Sequence, residues 1–399
     1  MYNEKAIEQE KLKSNIWKFY LFQAFSALAF FVPIIVLFWQ ENGLNLTQIM
    51  ILQSLFSLTV VLLEVPSGYF ADVFGRKKSL IFASSFLTIG IFTYSLGHNF
   101  HQFLIAEILW AFGVSFVSGT DSAFIYDTLK DLKQEKLYKK TMGNAMFCCL
   151  IATSIASVIG GFIGKINFRW TFYAMLPFMI LLIPLSISLK EPKRHKHIIE
   201  RGYLFELLKI LKNSLIKNEK IRWLIIYSAI IAGFNGAVLW LYQPYFKLTG
   251  LDIFYFGFVF AAFNLIAALS SKYAHQIEEK LGQKHSLILL IILVGGSYLL
   301  MSNFIYLFSF SFAFIQQFVR GFSKPVITDY INKLVSSDIR ATVLSAQNLV
   351  GRLFYAAIIP IIGWIADVYT LVQALFVLGI TTFVAGIVIL LILQKDRVI

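Results

Sequence analysis

The stretch TQIMILQSLFSLTVVLLEVPSGYFADVFGRKKSLIFASSFLTIGIFTYSLG, residues 47–97, decides the fold of this chain. It contains two apolar segments, 47–70 and 79–97, joined by a short link that carries Arg76, Lys77 and Lys78. Each segment approaches the ~20 residues that an α-helix needs to cross a bilayer core of ~30 Å. The stretch therefore predicts two transmembrane helices that are joined on the basic side of a membrane.

Apolar segments of this kind recur along all 399 residues. Hydrophobic residues make up 58% of the chain and charged residues 14%, against roughly 45–50% and 25% in soluble domains. We expect an all-α polytopic membrane protein, because helices satisfy their backbone hydrogen bonds within lipid. The twelve predicted spans are 17–40, 47–70, 79–97, 101–128, 143–164, 168–189, 223–246, 253–274, 287–302, 304–331, 343–366 and 371–393.

The positive charges predict the orientation. If residues 1–16 are cytoplasmic, all but six of the 35 Lys and Arg residues lie in cytoplasmic links or, like Lys18 and Lys272, at the cytoplasmic edge of a span. The six exceptions are Lys165, Arg169 and Lys247 in opposite links, and Arg320, Lys324 and Arg352 inside spans. Because cytoplasmic links are rich in Lys and Arg, we expect a protein of the inner (plasma) membrane with both termini in the cytoplasm. The net charge of +13 then faces anionic lipid headgroups, and no nucleic-acid partner is expected.

The two halves of the sequence resemble each other. The segment FVSG at 116–119 and Asp127 match FVRG at 318–321 and Asp329, with a constant offset of 202 residues. The segment that begins at Gly75 also overlays the one that begins at Gly282, with an offset of 207. These repeats predict two pseudo-symmetric six-helix bundles with a solute cavity between them.

The predicted domains are the bundles 1–189 and 223–399 and a cytoplasmic linker at 190–222. The linker's leucines recur at helical spacing, which predicts an amphipathic helix on the inner membrane surface. They are Leu204, Leu207, Leu208, Leu211 and Leu215. We interpret this linker as a tether between the halves, with a latch or lipid sensor as the alternative.

The link after the second span carries the spacing G-x-x-x-D-x-x-G-R-K-x-x-L, with Gly68, Asp72, Gly75, Arg76 and Leu80 at the fixed positions. This resembles the signature of the major facilitator superfamily, and the similarity extends over nearly the whole chain. The resemblance implies a transporter that exposes one site alternately to the two sides of the membrane and works as a monomer.

The resemblance also implies a conformational lock made by Gly68, Asp72, Gly75, Arg76 and Asp127. Gly68 would let two helices approach closely, Asp72 would lie at the N-terminus of a neighbouring helix, and Gly75 would permit a tight turn. Arg76 would reach Asp127 across the cytoplasmic face and hold the outward-facing state.

The fifth span resembles in part the motif G-x8-G-x3-G-P-x2-G-G of drug:proton antiporters in that family. The matching positions hold Gly143, Ala152, Ala156, Ser157, Gly160 and Gly161. Their small side chains preserve close helix packing, although the proline is absent. In the fourth span, Glu107 stands where that branch carries an arginine.

Three acidic residues inside spans are candidates for proton coupling: Glu107, Asp121 and Glu64. An ionisable side chain at mid-bilayer costs roughly 2.5–3.5 kcal/mol unless it is paired or hydrated. Glu107 and Asp121 are 14 positions apart, which returns them to within ~40° of one face of a continuous helix. The alternative is that these carboxylates form interhelical salt bridges, and for Glu64 a structural role is favoured.

Basic and polar residues in the second half are candidates for contact with the solute. Arg320 and Lys324, four apart, share one face of the tenth span, and Arg352 lies midway along the eleventh. Asn235 and Trp240 occur in a bendable, aromatic part of the seventh span. We expect this basic wall to meet anionic groups, with a gate role or salt bridges as the alternative.

These features predict a secondary-active transporter that exports a drug or an anionic or amphiphilic metabolite in exchange for protons. Proton-coupled import of a nutrient or of a metal chelate such as a siderophore is the alternative, followed by a non-transporting receptor or scaffold. The sequence contains no G-x-x-x-x-G-K-[ST] loop and no H-E-x-x-H, so neither ATP-driven transport nor enzymatic activity is expected. We expect no catalytic residue, metal site or cofactor; the expected partners are the solute, protons and the lipid bilayer.

Overall fold

A computed structural model of the protein describes residues 2–193, 218–336, 339–396 and 398, and every regular element in these ranges is helical. The α-helices are α1 (Tyr2–Ser26), α2 (Ile35–Glu41), α3 (Leu46–Phe74), α4 (Arg76–Leu96), α5 (Phe100–Val117), α6 (Thr120–Asp131), α7 (Tyr138–Ile166), α8 (Trp170–Ile187), α9 (Glu219–Ala237), α10 (Tyr242–Leu248), α11 (Ile253–Asn303), α12 (Ala313–Lys333), α13 (Arg340–Val368) and α14 (Leu371–Lys395). Short 3-10 helices occupy Glu135–Leu137, Val238–Trp240 and Leu307–Phe312. The amphipathic helix predicted over 204–215 lies outside the described residues.

The helices account for the twelve predicted spans. In the described part of the chain, nine helical segments are long and apolar enough to cross a membrane. One of them, α11, has 51 residues and holds both the eighth and ninth predicted spans, with a bend at Gly282. The first span is divided by turns at 27–34, and the tenth, α12, is rich in polar side chains, so neither belongs to the nine.

Glycines with positive φ allow the chain to turn where helices meet. Gly75, with φ 114°, is the single residue between α3 and α4, a conformation that side chains with a Cβ rarely adopt. Gly282, the matching position of the sequence repeat, has φ 71°. The repeat is therefore visible in the backbone at both of these positions.

Contacts divide the described residues into two compact units. The first unit comprises Met1–Phe38, Thr59–Ile198 and Ile253–Ala261. The second comprises Trp39–Leu58, Ile199–Asp252 and Ala262–Ile399. Each unit thus contains segments from both halves of the sequence.

In the first unit, α4 packs against α5 and α8 around stacked aromatic rings. The Tyr94 ring lies 5.3 Å from that of Phe172 and 5.8 Å from that of Phe103, measured between centroids. Phe103 and Phe172 are fully buried, so this aromatic cluster forms the rigid core between the three helices.

In the second unit, α9 packs against α12, α13 and α14, and the first half of α3 packs along α13. The Ser54 hydroxyl donates to the Ala356 carbonyl at 2.6 Å. At the start of α3, the amides of Leu46 and Thr47 donate to the two carboxylate oxygens of Asp367, at 3.0 and 2.7 Å. A carboxylate at a helix N-terminus satisfies free amides and the helix dipole, so Asp367 fixes α3 on α13.

The non-helical turns at 27–34 are shielded by a close contact with α7. Within lipid, such irregular backbone is stable only where protein covers it. A Cβ built on Gly160 would overlap the carbonyl group of Phe30, so a glycine at this position lets the two backbones touch. The small residues predicted from the fifth span therefore serve close packing at Gly160.

We expect Gly160→Ala to destabilise the protein by about 1–3 kcal/mol, because the added methyl group must push the Phe30 backbone away. Gly143→Ala in the same helix is the matched control, since a Cβ there meets no described heavy atom within 4 Å. Thermal unfolding of the purified full-length variants measures the difference. Equal melting temperatures for the two variants would contradict the role of Gly160.

Candidate functional site

The second unit contains an open cavity of about 480 Å³. Its walls come from α3, α9, the 3-10 turn at Val238–Trp240, α10, α12 and α13. The volume falls within the ~300–1,000 Å³ of small-molecule sites. The break between α9 and α10 is irregular backbone beside this cavity, which is where a membrane protein tolerates it.

All five residues that the sequence nominates for solute contact line this cavity. Arg320 and Lys324 lie one turn apart on α12, and Arg352 lies near the middle of α13. Asn235 is near the end of α9, and Trp240 ends the following 3-10 turn. The structure therefore brings these five side chains together.

The cavity wall is cationic. Its lining holds Arg320, Lys324 and Arg352 but neither Asp nor Glu. Arg320 donates through Nη2 to the neutral amide of Asn264 at 3.0 Å. In the described part of the chain, no carboxylate lies within 4 Å of these three cations. Their charges are thus left for a bound solute or for water to compensate.

Hydrogen bonds hold the aromatic part of the wall in place. Trp240 donates through Nε1 to the Tyr355 hydroxyl at 2.6 Å. The Tyr242 hydroxyl donates to Gln316 at 2.8 Å and accepts from Gln317 at 2.9 Å. Each of these rings therefore has a fixed orientation toward the cavity.

Several lining residues were not predicted from the sequence. They are carboxamides and one tyrosine: Gln53, Gln317, Gln347, Asn348 and Tyr355. The pairs Gln316-Gln317 and Gln347-Asn348 interrupt apolar spans, and this polar interruption is the signal that could have identified them. Gln347 donates to the Ser228 hydroxyl at 2.7 Å and so joins α13 to α9.

In the first unit, Arg76 and Asp127 form an ion pair, with Arg76 Nη1 2.7 Å from Asp127 Oδ2. Both side chains are largely buried, at 21% and 13% exposure, although the angle at Nη1 is not that of a hydrogen bond. Gly75 supplies the turn that starts α4 directly before Arg76. The turn and the ion pair thus lie together at the start of α4.

A carboxylate that no motif of the sequence indicated lies at the start of α4. The backbone amides of Arg76 and Lys77 donate to the two carboxylate oxygens of Glu191, at 2.9 and 2.8 Å. Asp72 lies exposed in the last turn of α3, and its place at the N-terminus of a neighbouring helix stays a prediction. Glu191 follows the sixth span and is 115 residues from Arg76, so no local pattern in the sequence predicts this contact.

The structure leaves space around Gly68, and the close helix approach predicted there stays a prediction. A Cβ built there meets no described heavy atom of its own unit within 4 Å.

Glu107 is buried in the core of the first unit, at 5% exposure. Its carboxylate accepts a hydrogen bond of 2.5 Å from the Tyr94 hydroxyl. The carbonyl of Ser95, the residue after Tyr94, accepts a hydrogen bond from Arg169 Nη1 at 2.8 Å. The Arg169 guanidinium lies 5.1 Å from the centroid of the Phe38 ring. Glu107 therefore belongs to a buried polar group beside the aromatic cluster.

Glu107 and Asp121 do not share one continuous helix, which corrects the expectation from their spacing. Gly119 has φ 74° and ends the helical run, so α5 stops at Val117 and α6 begins at Thr120. Asp121 lies in the first turn of α6, where it accepts from Gln23 at 2.8 Å and from the Ser122 amide at 2.6 Å. A helical face cannot be extrapolated across such a break.

Glu64 is exposed on α3, two residues before Pro66. None of Glu64, Glu107 and Asp121 lines the cavity. The acidic candidates belong to the first unit and the cationic wall belongs to the second. Among the described residues, no group of three or more His, Cys, Asp or Glu side chains is arranged to hold a metal ion.

Known proteins resemble this chain over nearly its full length. An uncharacterized MFS-type transporter, YxaM of Bacillus subtilis (strain 168), is 27% identical and covers 95% of this chain and 96% of its own length. The quinolone resistance protein NorA of Staphylococcus aureus is 22% identical, with coverages of 95% and 96%. The crystal structure of the nucleoside transporter NupG superposes with a TM-score of 0.78 at 12% identity and covers 97% of this chain and 99% of its own.

A family model described as Major Facilitator Superfamily matches residues 19–354. The relatives and structural neighbours are transporters, so the expected class, a transporter and not an enzyme, is confirmed. The all-α, twelve-span fold expected from the sequence is confirmed by the same likeness. The chain therefore belongs to the major facilitator superfamily, as a multi-span membrane transporter of small-molecule solutes.

Proposed function

We propose that the protein is a proton-coupled exporter of a small organic solute, a drug or an anionic or amphiphilic metabolite. It works as a monomer in the cell membrane, with both termini in the cytoplasm. The observation that carries this proposal is the cavity of about 480 Å³, which combines cationic, amide and aromatic side chains within a major facilitator fold. Export is supported by the relative NorA, named for quinolone resistance, although its identity is only 22%.

The cavity suits an organic solute that is partly polar. Trp240 and Tyr355 offer aromatic surface, and Arg320, Lys324 and Arg352 offer charged donors. Sites for small molecules typically combine an apolar wall with a few placed polar groups. We assign solute binding to these residues together with Asn235.

Glu107 is the side chain that we assign to proton coupling. It is the most deeply buried of the three acidic candidates, and it accepts a hydrogen bond from the Tyr94 hydroxyl. An ionisable side chain buried within a membrane protein is a candidate for proton transfer. Asp121 lies in the first turn of α6 and accepts hydrogen bonds from Gln23 and the Ser122 amide, so we assign it a structural role. Glu64 is exposed on α3, and we do not assign it to proton coupling.

The Arg76–Asp127 ion pair serves as the conformational lock, with Glu191 as its support. Because Glu191 holds the amides of Arg76 and Lys77, it fixes the start of α4 and hence the origin of the Arg76 side chain. Opening of the cytoplasmic side then requires the ion pair to separate. We assign the two moving halves to 1–189 and 223–399, and the tether to 190–222.

Import of an anionic nutrient or chelate is the second candidate function. The same three cations favour it, because they would hold an anion entering from either side. Transport into vesicles under an imposed pH gradient of each sign distinguishes the two directions, since an antiporter and a symporter respond oppositely.

Glu107→Gln should abolish uphill transport and spare exchange of solute down its own gradient, because the amide can neither bind nor release a proton. Accumulation and exchange are measured in proteoliposomes with and without a pH gradient. Glu135→Gln, an exposed acid in the link before α7, is the matched control. Unchanged accumulation by Glu107→Gln would refute its role in coupling.

Arg76→Gln or Asp127→Asn should increase the cytoplasmic accessibility of the cavity. Breaking this largely buried ion pair costs at least about 1 kcal/mol, which corresponds to a roughly fivefold or larger shift in the equilibrium. The reporter is Ser323→Cys in the cavity wall, with Cys148→Ser and Cys149→Ser removing both native thiols. Labelling by a membrane-impermeant thiol reagent in inside-out vesicles gives the rate.

Lys78→Gln is the control for that experiment, because Lys78 is an exposed cation in the same turn of α4. It should leave the labelling rate unchanged. The lock is disproved if the two charge-removing variants label no faster than the Lys78→Gln protein.

A further inference from the structure

We propose that the solute is a polyvalent organic anion: a compact molecule with at least two negative charges attached to a planar ring. This rests on the proposed function in one respect, that the cavity of the second unit is the solute site. It goes further by excluding cationic and neutral drugs as the preferred solutes.

The number of negative charges on the solute is inferred from the three cations of the cavity wall, which have no acidic partner among the described residues. Arg320, Lys324 and Arg352 all face one cavity of about 480 Å³, and its lining includes no acidic residue. The hydrogen bond from Arg320 goes to Asn264, an uncharged amide, and therefore leaves the guanidinium charge unbalanced. A monovalent anion would balance only one of three charges, and a cation would add to their repulsion.

A structural role for these cations does not explain the arrangement. Interhelical salt bridges need carboxylates, and in the second unit Asp329 pairs with Lys333 at 2.7 Å and Glu219 with Arg222 at 3.1 Å. Asp367 accepts from the start of α3, and Glu278 accepts from the Tyr330 hydroxyl. Three unpaired cations in one hollow of a membrane protein indicate a ligand of opposite charge.

The planar body follows from the aromatic part of the wall. Trp240 is fixed by its hydrogen bond to Tyr355, and its ring lies 5.8 Å from that of Trp39. Phe56 and Tyr355 line the same cavity. A fixed aromatic wall binds a flat ring with little loss of conformational entropy, and the nearby arginines can orient the anionic substituents of that ring.

The test is equilibrium binding by isothermal titration calorimetry to the purified full-length protein, without any gradient. The probes share a size and differ in charge: naphthalene disulfonate, naphthalene monosulfonate, neutral naphthol and naphthyl-trimethylammonium. Butane disulfonate keeps the two charges and lacks the ring. We expect the disulfonate to bind at least about tenfold more tightly than the monosulfonate, with naphthol, the cation and butane disulfonate weaker still.

Arg352→Gln should weaken the binding of naphthalene disulfonate about 30-fold, because one charge-assisted hydrogen bond is lost. It should change naphthol binding little. Arg222→Gln removes an equal charge from the first turn of α9, where Arg222 pairs with exposed Glu219, and should leave all the probes unchanged. A second variant, Lys324→Gln, provides an independent reading if Arg352→Gln folds poorly.

The proposal is overturned if the trimethylammonium probe binds as tightly as the disulfonate. It is equally overturned if no anionic probe binds, or if neither charge-removing variant weakens the disulfonate. If only the proposed export function is wrong, the result is different: the protein binds naphthalene disulfonate but transports no solute. If the protein exports a neutral or cationic solute with protons and binds no anionic probe, the polyvalent-anion proposal is wrong and the proposed export function still holds.

Discussion

Hydrocarbon gives the peptide backbone no hydrogen-bond partner, and the architecture of this transporter depends on that constraint. Most of the described chain meets it with continuous helices. Where a helix is interrupted, the exposed backbone must be covered by protein or face a polar hollow. The turns at 27–34 are covered by α7 at Gly160, and the interruption at Val238–Trp240 faces the cavity. The position of the small residue Gly160 and the positions of the helix breaks thus follow from the same requirement, that no unpaired backbone group faces lipid.

This constraint explains why so much of the fold can be predicted from the sequence. An apolar run of suitable length can only be a spanning helix, so the number of spans and the repeat follow from composition and spacing. What the pattern does not contain is the continuity of each helix. Gly119 divides the fourth span, and that one residue invalidates the shared face inferred for Glu107 and Asp121. A glycine inside an apolar segment can continue a helix or end it, and tertiary packing decides between these outcomes.

In the candidate site, too, some features could be predicted from the sequence and others could not. Charged and polar side chains within a membrane are costly, and this cost is why five residues were predicted to contact the solute. All five lie around one cavity: Arg320, Lys324, Arg352, Asn235 and Trp240. Contacts that depend on distant segments were out of reach, as with Glu191 at the start of α4 and Tyr94 beside Glu107. Helical spacing predicts which side chains share a face, whereas the partner opposite that face is set by the fold. Proton coupling and the lock remain proposals for that reason.

The positive lining of the cavity has an electrical consequence. Arginine and lysine side chains stay with the protein through each cycle, so the net current per turnover equals the charge on the solute and on any coupled ion. Moving one elementary charge across 100 mV is worth about 2.3 kcal/mol. In a cell whose interior is negative, a solute with two negative charges is therefore driven outward by voltage alone, and its uptake would require a larger inward flow of positive ions.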